Sequence, residues 1–368
     1  MLRRVIVTAG GTGGHVFPAI AIAEELISSG AEVLYVGNDK SMEERVCQER
    51  DLPFEPIDVQ KLYRSLTPKH LLFPYKFIRS YIMSSKIIRA FQPDACIGTG
   101  GFVSGPVIFY AGINKVPVYL QEQNSFPGLT TRWASRYARL IFLGNESAKE
   151  HLPSSKCIYT GNPLQRSFIN SAITHQRQEK DKKEITLLVM GGSQGAETIN
   201  NAVLQSLSEI IELEIKILWQ TGKRDYERIK ESIRNFPDSG KNIDIFPFST
   251  NMPEIYQRVD IAITRAGALS LTELEMMEIP AVIIPIVKSE GNHQLLNARE
   301  QVNKNIAVLI EQAELTPATL IKSIKKLIDD LDLFRIRLKK SEKIIATKKI
   351  LECIIADISD YETKDQEV

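Results

Sequence analysis

Short runs of apolar residues alternate along this chain with stretches whose apolar positions recur every three or four residues. RRVIVTA near the N-terminus reads as a strand, Ala19 to Ser28 as a helix, and AEVLYVG as the next strand. DACIGTG and VPVYLQEQ each follow a helical stretch, and ARLIFLG and SKCIYTGNP close the first half. The second half begins again with EITLLVMGG and continues through EIKILWQTG, IDIFPF, DIAITRAG and PAVIIPIV. Runs that are apolar at nearly every position suit strands buried on both faces. Their alternation with helices predicts an α/β fold of doubly wound parallel sheets.

The polar, charged stretch NSAITHQRQEKDKKE, residues 170 to 184, lacks periodicity and reads as a surface connection. It predicts two domains, residues 1–165 and 166–341. Each opens with a strand and a glycine-rich turn, Gly10-Gly11-Thr12-Gly13-Gly14 and Gly191-Gly192-Ser193-Gln194-Gly195. A tail helix over about 342–358 places Ile344, Ile345, Leu351, Ile354, Ile355 and Ile358 largely on one face, and the last ten residues read as frayed.

With 368 residues, 43% of them apolar, the chain can bury two sizeable cores. A net charge of +1 argues against a nucleic-acid partner, which usually demands a clear basic excess. The four cysteines, Cys47, Cys96, Cys157 and Cys353, form no CxxC pair, which fits a reducing compartment. MLRRVIVTAGG runs straight into a strand without the apolar region of a signal peptide. The longest apolar runs fall short of the ~20 residues that span a bilayer, so any membrane contact is expected to be peripheral.

A glycine turn between strand and helix permits positive φ, brings backbone N–H groups close to a ligand and aims the positive helix end at it. Phosphates profit most, although such a turn also serves as a plain βα connection. The spacing here is not G-x-G-x-x-G; Asp39, which could mimic the acidic residue after the second strand, keeps a nicotinamide enzyme as a minor reading. His15 directly follows the first glycine cluster. A helix N-terminus disfavours imidazolium and suits a ring that accepts a proton, although His15 equally suits a capping or packing role.

A third glycine stretch, IGTGGFVSGP, contributes Gly100, Gly101 and Phe102, and the strand VPVYL is followed by Glu122, Gln123 and Asn124. Ligands of open α/β sheets bind beyond the carboxyl ends of the strands, where all these stretches fall. In the second half, DIAITRAGALSLTELEMMEIP offers Arg265 and a helix start toward a diphosphate, and Glu273 toward the two hydroxyls of a ribose. Glu273 taken alone would more often be a solvated helix position. Asn292, His293 and Gln294 mark another strand-to-helix junction.

In order and at full-domain spacing, GGTGGHVFPA, GTGGFVSGP, EQNSFPGL, GNP, GGSQGA and TRAGALSLTEL resemble the MurG family. These bacterial enzymes transfer N-acetylglucosamine from UDP-GlcNAc to complete the disaccharide of the peptidoglycan lipid precursor. The likeness spans roughly residues 3 to 345. It implies a GT-B fold: two Rossmann-like domains facing across a cleft, with the C-terminal helix packing back on the N-terminal domain. It implies a UDP-GlcNAc donor held by Ser193, Gln194, Ser249, Arg265, Ala268, Leu269, Glu273, His293 and Gln294, with Thr12, Gly13, Gly14 and Asn124 reaching it from the other domain. It also implies a lipid acceptor, undecaprenyl-diphospho-MurNAc-pentapeptide, against Gly13, Gly14, His15, Gly100, Gly101, Phe102 and Asn124.

The chain departs from the family pattern at three positions. His293 stands for the first of two glutamines, Gln165 for an arginine after GNP-x, and Gln121 for the histidine before EQN. The resemblance implies an inverting transfer with His15 as proton acceptor and Glu122 as the alternative. It implies no tightly bound cofactor, and no DxD triplet stands beyond a strand to hold a metal.

A lipid acceptor requires a bilayer surface, and HLLFPYKFIRSYIMSSKIIRAF, residues 70 to 91, suits one. There Leu72, Phe73, Phe77 and Ile78 are interspersed with Lys76 and Arg79, as in helices that insert apolar side chains among anionic headgroups. A core-facing helix is the competing interpretation. The expected location is peripheral, on the cytoplasmic face of the bacterial cell membrane, with other proteins of wall synthesis and division as further partners. A UDP-GlcNAc 2-epimerase or a non-catalytic wall-synthesis scaffold would share the two-domain plan.

Overall fold

The computed structural model describes residues 2–60, 73–174, 185–192, 195–234, 236, 242–249, 251–287, 292–341 and 343–366. The chain divides into two compact units. One comprises Met1–Arg166 with Ile344–Val368, the other Ser167–Lys343.

The N-terminal unit carries strands β1 (Arg4–Thr8), β2 (Glu32–Asn38), β3 (Phe54–Ile57), β4 (Ala95–Gly98), β5 (Val118–Glu122), β6 (Leu140–Leu143) and β7 (Cys157–Tyr159). They pair in parallel in the order β3-β2-β1-β4-β5-β6-β7. Helices α1 (Gly13–Ser28), α2 (Met42–Gln48), α3 (Phe73–Phe91), α4 (Ser104–Ile113) and α5 (Leu129–Ala134) connect them. Side chains alternate between the two faces of a strand. Val5, Val7, Ala95, Ile97, Tyr119 and Phe142 therefore join one core with α1 residues such as Ile20. Ile6, Cys96, Val118, Leu120, Ile141 and Leu143 join a second core with Val107 and Ile108 of α4. Both faces are covered, which is why these strands are apolar at almost every position.

The C-terminal unit begins within α6 (Arg166–Thr174). Its strands are β8 (Thr186–Met190), β9 (Lys216–Gln220), β10 (Ile243–Phe246), β11 (Ile261–Thr264), β12 (Ala281–Ile283) and β13 (Ala307–Leu309), parallel in the order β10-β9-β8-β11-β12-β13. The helices are α7 (Glu197–Gln205), α8 (Leu207–Ile211), α9 (Tyr226–Arg234), α10 (Met252–Tyr256), α11 (Ala268–Met276), α12 (His293–Asn303), α13 (Pro317–Asp329) and α14 (Leu331–Lys340). Leu187, Val189, Trp219, Ile261 and Ile263 pack with Ile199 and Val203 of α7 and Leu320, Ile324 and Leu327 of α13. The chain then returns to the first unit as α15 (Ala346–Gln366), whose Ile350 and Ile354 enter the core beside α1.

Four local expectations change. α1 starts at Gly13 rather than near Ala19 and carries Pro18 inside it; a proline there gives up one backbone hydrogen bond of the helix, which is why the stretch before Ala19 does not read as helical. Residues 170–174 continue α6 instead of opening a coil, with Phe168 and Ile169 buried. The tail helix begins two residues after Ile344 and runs on to Gln366. Strands β3 and β13 had no counterpart in the hydrophobic pattern. Each is a sheet edge of three or four residues, and β3 contains Pro56, so neither offers an alternating run.

Candidate active site

In the N-terminal unit the strand order reverses between β1 and β4. In open parallel sheets, ligands bind where such a reversal opens a crevice at the carboxyl ends. The loops leaving β1, β4 and β5 share this edge. Gly100 and Gly101 adopt φ +100 and +79, a region that costs other residues strain. A Cβ on Gly101 would collide with the Gly10 carbonyl, so the two glycine loops touch backbone to backbone. A Cβ on Gly100 would stand 2.9 Å from His15 Nδ1, so that glycine leaves space for the ring. Phe102 lies against Gly11.

Thr12 is the N-cap of α1 in an extended conformation, and its side chain makes no capping bond. Neither Gly13 nor Gly14 has a side chain to cover the helix end, and the first turn holds no acidic residue. The helix N-terminus is therefore open to an anion. His15 sits in that first turn, half-buried, with Nδ1 2.9 Å from Gln123 Oε1 and 3.2 Å from the Thr99 carbonyl. The Thr99 hydroxyl donates to the His15 carbonyl at 2.7 Å. His15 Nε2 has no hydrogen-bond partner among the described residues.

Glu122 is placed differently from the expectation of an alternative base. It is buried. Oε1 accepts from the backbone N–H and side-chain amide of Asn124, both at 3.1 Å, and Oε2 from the Gly128 N–H at 3.1 Å. A carboxylate so occupied folds the loop around itself. Asn124 is thereby fixed at the loop's start, half-buried. Gln121, where the family pattern has histidine, is fully buried and donates to Asn162 at 3.3 Å. Gln165 accepts from Arg50 at 3.0 Å.

In the C-terminal unit the order reverses between β8 and β11. Gly192 leaves β8 with φ +88, while Ser193 and Gln194 lie outside the described residues. After β11 the chain passes Arg265 and reaches Gly267, the N-cap of α11, which has no side chain to cap the helix. Ala268 and Leu269 form the first turn, so their backbone N–H groups face outward from an open helix end.

Glu273 follows one turn later. Tyr256 donates to its Oε2 at 2.9 Å. Burial raises the Glu273 carboxyl to about 7, and the tyrosine bond opposes that rise. The residue as a whole is half-buried.

Arg265, expected toward a diphosphate, has its guanidinium engaged within the fold. It is buried, and Nη1 donates to the carbonyl of Ile284 at 3.0 Å and to Gln312 Oε1 at 2.8 Å. Its Nε has no partner among the described residues. Burial lowers its pKa, and no carboxylate pairs with it among the described residues. It braces the loop from behind and adds a positive field to the site.

Asn297 of α12, absent from the sequence reading, donates to the Ala266 carbonyl at 3.1 Å and ties that helix to the same loop. His293 and Gln294 open α12, behind Asn292 in a left-handed conformation, and Gln294 accepts from the Ile286 N–H at 3.0 Å. Ser249, beyond β10, accepts from the Asn251 N–H at 3.1 Å beside the exposed Phe248.

On α3 the exposed apolar row is Tyr75, Ile78 and Ile82, which lie three to four residues apart and share one face. Phe77 turns inward instead, its ring 6.2 Å from that of Phe109 on α4. Lys76 and Arg79 flank this row, and both approach Asp58, at 3.3 and 3.6 Å. Phe73 begins the helix, and Leu72 lies outside the described residues. Among the described residues no helix is long and apolar enough to cross a membrane.

Two doubly wound units, each with an open helix end at its switch point, are the plan of the GT-B fold. Residues 5–143 match the glycosyltransferase family 28 N-terminal domain and residues 186–350 its C-terminal domain, and the chain belongs to that family. Within it, the chain is 34% identical over 360 residues to a transferase of Listeria monocytogenes, covering 96% of this chain and 99% of that one. That enzyme is named UDP-N-acetylglucosamine–N-acetylmuramyl-(pentapeptide) pyrophosphoryl-undecaprenol N-acetylglucosamine transferase. The enzyme of that name in Lactococcus lactis is 34% identical over 329 residues, covering 89% of this chain and 91% of that one. The crystal structure of MurG from Acinetobacter baumannii superposes with a TM-score of 0.78 at 27% identity, covering 96% of this chain and 99% of that one. A UDP-GlcNAc 2-epimerase from Neisseria meningitidis shares the fold, with a TM-score of 0.68 at 16% identity, covering 96% of this chain and 100% of that one.

Proposed function

We propose that this protein transfers N-acetylglucosamine from UDP-GlcNAc to the C4 hydroxyl of MurNAc in undecaprenyl-diphospho-MurNAc-pentapeptide, the step from lipid I to lipid II. The near-full-length likeness to transferases named for that reaction carries this reading.

The C-terminal unit holds the donor. Glu273 accepts hydrogen bonds from the ribose hydroxyls, and Tyr256 keeps the carboxylate oriented. Ser249 lies on the uracil side, while His293 and Gln294 face the sugar. The N–H groups of Ala268 and Leu269, with Ser193 and Gln194, receive the diphosphate, and the buried Arg265 charge supports it from behind.

In the N-terminal unit, Thr12, Gly13 and Gly14 receive the acceptor's diphosphate at the open end of α1. Gly100 and Gly101 keep the floor low, Phe102 walls it, and Asn124 positions the sugar. His15 Nε2 takes the proton of the C4 hydroxyl as its oxygen bonds to the anomeric carbon. The bond from that carbon to the UDP oxygen breaks, UDP leaves with the electron pair, and the configuration inverts. The positive charge that develops on the sugar parallels that of glycoside hydrolysis.

The protein works at the membrane surface as a peripheral enzyme. The exposed α3 row and its neighbouring cations meet anionic lipid on the cytoplasmic face.

The experiment supplies labelled UDP-GlcNAc and a short-chain lipid I analogue, and follows transfer together with UDP release. Label on the analogue is expected, and a His15→Ala variant loses ~10²–10⁴-fold in turnover, the usual share of base catalysis, while still binding UDP. UDP release without transfer would replace this reading with an epimerase or hydrolase.

A further inference from the structure

His15 is one end of a chain of buried amides that no sequence spacing reveals. Gln123 Nε2 donates to the Thr99 carbonyl at 2.8 Å and to Gln121 Oε1 at 2.5 Å. Gln121 Nε2 in turn donates to Asn162 Oδ1 at 3.3 Å, and Asn162 Nδ2 donates to the Gln123 carbonyl at 3.3 Å. Gln121, Gln123 and Asn162 are all buried. With its amide nitrogen committed to acceptors on one side, Gln123 can present only Oε1 to the imidazole.

The second neighbour of His15 Nδ1 is a backbone carbonyl, which has no donor to offer in any orientation. Both groups facing Nδ1 are acceptors, so Nδ1 must carry the hydrogen. A neutral imidazole has one protonated nitrogen, and the lone pair then resides on Nε2. That is the atom left without a partner among the described residues, beside the open end of α1. Flipping Gln123 would set its oxygen against the Thr99 carbonyl and the Gln121 oxygen, two buried acceptors left facing a third. Such unpaired buried polar groups cost about 1–3 kcal/mol each, so the relay resists the flip.

We propose that Gln123 is a positioning residue that, with the Thr99 carbonyl, locks His15 in the Nδ1–H tautomer and leaves Nε2 as the proton-accepting atom. This rests on the transfer reaction proposed above and adds to it the device that selects the reactive nitrogen. Gln121 and Asn162 act one step further back, by fixing which end of the Gln123 amide faces the ring.

The test labels the histidines of the full chain with ¹⁵N and records imidazole nitrogen spectra under conditions in which the ring is neutral. His15 is identified by the signals lost in His15→Gln. The wild type is expected to show an N–H at Nδ1 and a bare Nε2. Gln123→Met keeps the side-chain length but removes the acceptor. It is expected to give His15 a substantial Nε2–H population and a turnover at least tenfold lower, with KM for UDP-GlcNAc within about twofold of wild type. An Nε2–H signal in the wild type, or an unchanged His15 tautomer in Gln123→Met, would overturn the proposal. The parent reading fails separately: a His15→Gln variant with full turnover removes the base and leaves the tautomer result standing.

Discussion

Glu273 shows how a single side chain acquires meaning from its surroundings. In the sequence it is one carboxylate on a helix, and most such residues are solvated. In the fold, burial raises it to about 7 from the ordinary 4.5, and Tyr256 holds one of its oxygens. A folded carboxyl with a raised pKa takes up protons that the unfolded chain has lost. Its contribution to stability is therefore present below the unfolded value and is lost as pH rises through about 7. Ribose hydroxyls donate best to the ionised form. UDP affinity is thus expected to increase as pH rises through about 7, and titration calorimetry should find that dependence abolished in Glu273→Gln. An equal pH dependence in the variant would assign it to another group. Glu122 and Arg265 make the reverse point. Their types suggested a base and an anion contact, but partner geometry turned both toward bracing loops.

The glycine loops and α3 are elements whose existence was legible and whose facing was not. Glycine clusters after strands announced close backbone approach, and Gly101 against the Gly10 carbonyl is such a contact. Helical periodicity marked the segment that became α3, but many apolar positions left its outward row undetermined. Packing against α4 took Phe77 inside and left Tyr75, Ile78 and Ile82 outside. Asp58, far enough away in sequence to be overlooked, draws on two of the cations. Three half-exposed apolar side chains and the neighbouring cations offer on the order of 5 kcal/mol to an anionic bilayer, enough for reversible attachment. Replacing Ile78 and Ile82 together by serine is expected to weaken binding to phosphatidylglycerol vesicles roughly 30-fold, read by sedimentation, with transfer to a soluble acceptor analogue kept. Equal sedimentation of variant and wild type would remove this face from the membrane.

The two-unit plan rests in part on the last helix returning to the first unit. Arg139 donates to Asp357 Oδ2 at 2.5 Å, and Tyr119 donates to the same oxygen at 2.7 Å, joining β5 and the start of β6 to α15. The arginine and aspartate side chains are only 28% and 22% exposed, so solvent screens this pair weakly. Asp357→Ala is expected to destabilise the N-terminal unit by ~1–3 kcal/mol, because it leaves an enclosed guanidinium and a phenol without their acceptor. Calorimetry should show the transition of that unit lowered and that of the C-terminal unit unmoved. A shift in neither would mean that the apolar seating of Ile350 and Ile354 alone holds the helix.

The hydrophobic pattern determined the class of fold, because a strand buried on both faces has to be apolar throughout and a covering helix has to repeat near 3.6. The glycine clusters determined where backbone comes close to backbone, because a side chain on Gly101 would strike the Gly10 carbonyl and the positive φ values of Gly100 and Gly101 strain other residues. The short edge strands β3 and β13 and the early start of α1 escaped the pattern, because three or four residues and a proline carry no period. Tertiary structure decided which functional groups point where. Gln123, Gln121, Asn162, Thr99 and His15 come from four separate segments, and nothing in their spacing encodes that their donors and acceptors interlock. Hydrogen-bond direction depends on the partner's position in space, so the reactive nitrogen of His15 becomes defined only once the sheet has brought those loops together.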